Sequence, residues 1–332
     1  MIDKKFATQI IQEKKILGKI PTNINNKKIY NICYVFDFKV VRGAGVSMCS
    51  ICENNKNSSI IFHAICIDLV NEDITRLKQI ANKYQTTIII YIVNKEAPIL
   101  KNIVVGNFPI TIWYRIFLPY IINCEKILYL DSDIINLKPL NKLFEINIKN
   151  YCLLAVPDLE KTQNDRKTAL NLKTDIYFNS GVLMINISEW IKNDISNKVL
   201  NIAKIYGQKL ILPDQDALNI VFQKNNIFYL DKKYNRVALW KEKYIKRKLA
   251  ETVLLHFVQT KPWHEDWIYE KRPYIENLYA EYESLSPWKG FPLEKKSKLN
   301  HHDKRKRAIF MFKHGNILKG LYWYKEYLKD KI

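Results

Sequence analysis

Residues 126–133 read Lys-Ile-Leu-Tyr-Leu-Asp-Ser-Asp. The apolar run Ile127–Leu130 has the composition of a strand buried on both faces, the habit of strands in a helix-covered sheet. Two carboxylates then arrive together at its end, directly before Ile134 and Ile135. Burying charge there is costly unless a cation shares the site. Upstream the same grammar repeats. Ile29–Asp37 is an apolar run ending in an acid, Gly45–Asn55 an amphipathic segment, Ile60–Asp68 a second strand, Asp73–Tyr84 a second helix and Thr86–Asn94 a third strand. This alternation predicts an α/β fold with a mostly parallel central sheet covered by helices on both faces. Ligands of such sheets bind outside the carboxyl ends of the strands. Asp37 and the Asp131/Asp133 pair therefore fall on one rim.

Beyond this core the pattern gives a helix over Thr111–Ile122, a strand over Cys152–Asp158, a polar loop over 159–175 and a strand over Phe178–Asn186. Helices follow over Ser188–Asn193 and Pro213–Gln223, then a strand over Thr252–Val258. After Trp288 the character changes. Thirteen Lys/Arg stand against four Asp/Glu from Lys289 to Ile332, interleaved with Phe310, Phe312, Tyr322, Trp323, Tyr324 and Tyr327. With no Gly/Ser linker before it, this basic appendage is expected to be helical and to pack on the main domain. The division is an N-terminal extension over 1–28, a main α/β domain over 29–286 and a basic, aromatic helical region over 287–332.

Composition sets the wider bounds. Of 332 residues, 48% are hydrophobic, enough to build a folded core, and the formal net charge of +20 points to anionic partners. Met1–Ile20 carries Asp3, Lys4, Lys5, Glu13, Lys14 and Lys15, and so lacks the apolar centre of a signal peptide. No uncharged apolar run approaches the roughly 18 residues a membrane-spanning helix needs. Six cysteines lie mostly inside apolar runs, as reduced buried thiols of a cytoplasmic protein do. Cys49 and Cys52 make a C-x-x-C, but no second pair exists to complete a zinc site, and two core-facing helix residues is the simpler reading.

Asp131 and Asp133 are hard oxygen ligands, suited to Mg²⁺ or Mn²⁺. A D-x-D alone is a weak signal that a solvated turn also satisfies. His256, in the stretch His256–His264 with Lys261 and Trp263, is a plausible third ligand or a satisfied core histidine, and Lys261 can pair with a phosphate. Taken in order, WYRIF (113–117), D-x-D after KILYL, YFNSGVLMIN (177–186), PDQDALN (213–219) and His256-Phe257 followed by KPWH (261–264) resemble glycosyltransferase family eight. The similarity covers nearly the whole chain, SPWKG (286–290) and its basic tail included. It is nearest to the lipopolysaccharide core glucosyl- and galactosyltransferases of Gram-negative bacteria.

The resemblance implies a GT-A fold, a UDP-glucose or UDP-galactose donor, Mg²⁺ or Mn²⁺, and hexose transfer with retention of anomeric configuration. It makes Asp131, Asp133 and His256 the metal ligands and gives Lys261 to the donor diphosphate. Arg115 falls beside the donor sugar, and Asp37 falls on the uracil ring with Val35 nearby. Asp158, Asn179, Asp214 and Gln215 match groups that hold the hexose, Gln215 nearest the anomeric carbon. Asp214 also reads as a helix N-cap and Asn179 as a turn residue. The chain departs from the family at Lys39 and Val40, where Asn and Tyr usually follow the acid. It departs again at Val258-Gln259-Thr260, which replaces a longer, Gly-containing turn before Lys261.

The expected function is transfer of glucose or galactose from UDP-sugar to the outer core of lipopolysaccharide, with a related transfer to another surface glycan or to protein as the alternative. Charge and aromatic content place the tail on the anionic cytoplasmic face of the inner membrane. The rival reading is a basic binder of nucleic acid or membrane without catalysis. It leaves paired acids at a strand end unexplained, and nucleic acid is not an expected partner.

Overall fold

The computed structural model describes residues 9–20, 28–94, 103, 108–223, 226–238, 242–270, 273–295 and 299–330. Much of the expected N-terminal extension, 1–8 and 21–27, lies outside the described residues. What is described of it includes a strand, β1 (Ile11–Leu17), which adds antiparallel to the edge of the main sheet.

From there the chain alternates as the sequence predicts: β2 (Ile29–Asp37), α1 (Val41–Asn54), β3 (Ser59–Ile67), α2 (Asn71–Tyr84), β4 (Thr87–Val93). A 3-10 helix (Ile110–Phe117) and one α-helical turn (Leu118–Ile121) lead into β5 (Lys126–Leu130) and β6 (Ile134–Asn136). Then come β7 (Leu153–Pro157), α3 (Glu160–Leu170), β8 (Phe178–Asn186), α4 (Ile195–Tyr206), α5 (Pro213–Phe222), β9 (Ile227–Tyr229), β10 (Arg236–Val237) and β11 (Leu254–His256). Among the described residues the main sheet has the order β1-β4-β3-β2-β5-β8-β7-β9. Its centre is parallel, with β8 antiparallel to both β5 and β7.

Alternation along the strands decides which helix covers which face. Ile32, Tyr34 and Phe36 of β2 pack with Met48, Ile51, Leu77 and Ile80 from α1 and α2. Cys33 and Val35 point the other way, to Trp113, Phe117, Val199 and Leu218 from the 3-10 segment, α4 and α5. Cys49 and Cys52 are fully or nearly buried on α1, and all six cysteines are free. Burial pushes the Cys49 thiol up to about 12, away from redox and metal chemistry.

Two local expectations change, and one helix was not expected. The span 159–175 is not loop throughout, because Glu160–Leu170 forms α3, ended by Asn171 in the left-handed conformation. Its strongly polar composition hides it, since one face presents only Arg166 and Leu170 to the interior. The helix expected over Thr111–Ile122 is mostly 3-10. Pro119 has no N–H to donate back into a preceding turn, so it serves at the start of the short α-turn. Helix α4 goes unread between Ser188–Asn193 and Pro213–Gln223.

A second sheet, β10-β11-β6, closes the rim. Against it pack Trp263, Trp267, Ile275 and Tyr279, the last two from α6 (Pro273–Ser284). The chain then returns across α1: buried Arg42 donates to Glu283 at 2.9 Å and to the carbonyls of Pro292 and Phe291 at 2.7 and 3.2 Å. Trp288 lies so close to Gly45 that a Cβ there would meet its ring at 2.1 Å. Two helices packed on one another follow, α7 (His301–Lys313), opened by an Asn300/Asp303 capping box, and α8 (Ile317–Lys329). Arg307 of α7 pairs with Asp266 and lies over the rings of Tyr269 and Trp323. No described helix is long and apolar enough to cross a membrane.

Candidate functional site

The site grows out of the end of β5. Asp131 makes a last rung to β8, its N–H donating to the Gly181 carbonyl at 2.8 Å. Three residues later β6 begins, and its pairing with β11 sets Ile134 opposite His256. The Phe257 N–H donates to the Asp133 carbonyl at 2.8 Å. Backbone pairing between segments more than a hundred residues apart therefore delivers the histidine to the two carboxylates. His256 Nε2 lies 3.2 Å from Asp133 Oδ1 and 3.8 Å from Asp131 Oδ2. One ligand atom from each of the three falls within 4.8 Å of the others.

These separations fit one divalent ion, since neighbouring ligands at about 2.1 Å from a metal stand about 3 Å apart. Gly181 supports the same reading. A Cβ there would meet His256 Cε1 at 2.4 Å and Asp131 Oδ2 at 2.9 Å, so the missing side chain keeps the hollow open. Burial disfavours charge on His256, but Asp133 and Asp131 outweigh it and raise its pKa. Burial likewise opposes ionisation of Asp133, and the Lys261 and His256 cations override it, holding the carboxyl well below its usual range. Lys261 makes an ion pair with Asp133.

Arg115, on the 3-10 segment, faces the same carboxylates. It donates to the Ser180 carbonyl at 2.9 Å, pairs with Asp214 at 3.0 Å and Asp131 at 3.2 Å, and stacks 4.5 Å over Tyr129. Burial disfavours its charge, yet Asp214, Tyr129 and Asp131 more than restore it. Burial in turn raises Asp214 against the pull of Arg115. The guanidinium is thus a fixed cation joining the metal side of the site to α5.

On the other side lies a polar network. Gln215 accepts from the Ser180 N–H at 2.9 Å and donates to Asp158 at 2.8 Å, and Asn179 donates to the same Asp158 oxygen at 3.1 Å. Behind it Asp216, with no exposure at all, receives Arg166 from α3 at 2.9 and 2.7 Å and the Tyr177 hydroxyl at 2.6 Å. Asp214 carries no side-chain cap of the α5 N-terminus; its carboxylate goes to Arg115 and to Ser180 at 3.1 Å.

A cavity of about 590 Å³ opens over both halves. Every residue to which the family resemblance gave a metal, donor or sugar role lines it except Asp37, whose Oδ1 instead accepts from the Lys39 N–H at 2.9 Å. Val35 and Val40 form an apolar wall on that side. Sequence reading missed Tyr129, whose hydroxyl donates to Asp131 at 2.6 Å, and Ser180 and Tyr177, though the last two sit inside the YFNSG stretch that drew notice. It also missed Asn235, whose side-chain oxygen lies 2.9 Å from His256 Nδ1 and which carries no periodic signal.

Comparison with known proteins agrees with this architecture. The chain is 33% identical to a lipopolysaccharide 1,2-glucosyltransferase of Escherichia coli over 94% of its length and 95% of that protein. It is 29% identical to the lipopolysaccharide 1,3-galactosyltransferase of Salmonella typhimurium over 100% of its length and 99% of that protein. The crystal structure of the galactosyltransferase LgtC with donor and acceptor sugar analogs superposes with a TM-score of 0.65 at 23% identity, covering 77% of this chain and 96% of LgtC, so the fold is GT-A. Residues 31–267 match the profile of glycosyl transferase family 8 and residues 275–331 that of the family 8 C-terminal region. With a metal-competent D-x-D, a partner histidine and a polar pocket in one cavity, the chain belongs to glycosyl transferase family 8.

Proposed function

We propose that the protein transfers glucose or galactose from the UDP-sugar to a lipopolysaccharide core acceptor, with retention at the anomeric carbon. The observation that carries this reading is the shared cavity, which sets a metal-binding triad beside a ring of hydroxyl-binding groups. Asp131, Asp133 and His256 would hold Mg²⁺ or Mn²⁺, and that ion would take up negative charge on the departing diphosphate. Lys261 would leave Asp133 for the phosphates, Val35 and Val40 would flank the base, and Asp37 would read its edge from the rim. Asp158, Asn179 and Asp214 would orient the hexose.

Gln215 supports a front-face route. Its carbonyl is occupied by Ser180 and its amide by Asp158, and a neutral amide oxygen is a poor nucleophile. The acceptor hydroxyl would form the new glycosidic bond on the face the diphosphate leaves, and a diphosphate oxygen would take its proton. Residues 29–286 would supply catalysis. The basic region over 287–332 would hold the protein against the anionic inner-membrane surface where the acceptor is anchored.

The test is incubation of the protein with UDP-glucose and UDP-galactose, Mn²⁺ or Mg²⁺, and a series of truncated core lipopolysaccharides, with product linkage determined by NMR. One UDP-hexose should be consumed, EDTA should stop it, and the product should carry an α-linked hexose. Absence of EDTA-sensitive turnover with either donor would sink the reading.

A further inference from the structure

We propose that Asn235 is a positioning residue that fixes which ring nitrogen of His256 is offered to the metal, through a hydrogen-bond chain running back to the sugar-side carboxylate of Asp158. The inference rests on the metal-ligand reading of His256 given above. Some groups along this chain have donor and acceptor roles that cannot be exchanged. The backbone N–H of Gly181 can only donate, so the Asn179 atom 2.9 Å from it is the carbonyl oxygen. The opposite end of the same amide then presents its NH₂ to Asp158 Oδ2 at 3.1 Å, as a carboxylate acceptor requires.

Asn179 Oδ1 thus acts as an acceptor toward Asn235 as well, and the Asn235 atom 2.8 Å away must be its NH₂. The amide is planar, so its other atom is the oxygen, and this oxygen lies 2.9 Å from His256 Nδ1. An amide oxygen has no proton to give. His256 must therefore carry a proton on Nδ1, which leaves Nε2 as the nitrogen with a lone pair when the ring is neutral. Nε2 is the atom that faces Asp133 and Asp131.

Each link follows from the one before it, and all four side chains are buried. The backbone keeps them in register, because Asn235 immediately precedes β10, Val237 pairs with His256, and the Ala238 N–H donates to the His256 carbonyl at 2.9 Å. One consequence is that the metal ligand and the sugar-side pocket share a single amide, Asn179. A disturbance at either end reaches the other through three hydrogen bonds.

Metal-binding histidines whose outer partner is removed lose about 10- to 100-fold in affinity. The experiment measures Mn²⁺ binding to the full chain by EPR, with and without UDP, for wild type, Asn235→Ala and Asn235→Asp, alongside thermal unfolding. Asn235→Ala should weaken Mn²⁺ binding about tenfold or more, with turnover recovering as Mn²⁺ is raised to saturation. Asn235→Asp keeps an acceptor for Nδ1–H and should bind Mn²⁺ within about threefold of wild type.

Nitrogen-15 NMR of the histidines in wild type loaded with Mg²⁺ and UDP should show His256 protonated on Nδ1. A proton on Nε2 instead overturns the inference even should Asn235→Ala fail to fold. Equal loss in both variants with a matching fall in melting temperature also overturns it, since that is the signature of a packing role. Asp133→Asn and His256→Ala separate the two claims. If both keep wild-type Mn²⁺ binding, the metal reading fails; if both lose it and Asn235→Ala does not, the positioning role alone fails.

Discussion

Gly181 contributes to the site by having no side chain. The volume that a methyl group would fill is the hollow bounded by His256, Asp131 and the Asn179 oxygen, the last at 3.0 Å from such a Cβ. Its φ lies outside the left-handed region, so alanine there is a steric change rather than a backbone one. Gly181→Ala should therefore lower Mn²⁺ affinity at least about tenfold and cost stability of about 1–3 kcal/mol from overpacking. Mn²⁺ titration followed by EPR checks the first part, and wild-type affinity would show that the hollow is not where the ion goes. At this scale the sequence was most informative where a residue type is expensive to bury. Asp131 and Asp133 announce themselves at the end of an apolar strand. Asn235 and Ser180 do not, because a small polar residue beside a two-residue strand or near the start of a longer one looks like a turn until its partner, here His256 or Gln215, is seen.

The strands also carry a titratable group that does not line the cavity. His63 of β3 bridges Asn31 of β2 at 3.0 Å and the Tyr91 hydroxyl of β4 at 3.2 Å. Burial first, and the Lys14 cation second, bring its pKa down to about 4 from the ordinary 6.5. Between those values the unfolded chain binds a proton that the folded chain refuses. Stability present above pH 6.5 should therefore fall as pH drops, levelling off near pH 4, by about 3 kcal/mol at most from this group. Urea unfolding of wild type and His63→Gln at several pH values isolates the effect; parallel curves would mean His63 does not carry it. Element periods also mark the limit of what could be read ahead. Long apolar strands such as β8, buried along its whole length, were legible, whereas α3 was not. A helix that buries one arginine against a partner fifty residues away has no apolar stripe to find.

Across the molecule the charge of +20 is unevenly spent. Part of the basic tail is already paired, Arg307 with Asp266 of the main body and Lys304 with Asp330 within the tail, while α8 leaves Ile317, Leu318, Leu321 and Tyr322 more than half exposed. Arginines and lysines near an anionic bilayer gain about 1 kcal/mol each, and exposed apolar and aromatic side chains add insertion at headgroup depth. Removing residues from Lys304 onward should reduce binding to vesicles containing anionic lipid, steeply so at low salt, and slow transfer to an embedded acceptor. Metal-dependent hydrolysis of the donor should survive. Cosedimentation decides it, and undiminished binding of the shortened chain would assign the tail a different task. The chain's order of elements made this region visible as a distinct composition, but only the structure shows which of its charges are already neutralised.

The return of the chain across α1 has a consequence for proteolysis. Trp288 fills the notch above Gly45, and Arg42 grips the backbone at Phe291 and Pro292. A protease that nicks near Ser286 would pull a plug out of the enzyme's wall and leave Arg42 buried without its carbonyls. One that cuts after Glu294 would shed only the helical pair. The smallest fragment able to survive digestion with its cavity whole should thus end beyond Pro292, a few residues past the 286 boundary read from the sequence, and its C-terminus, read by mass spectrometry, would mark where the catalytic body stops.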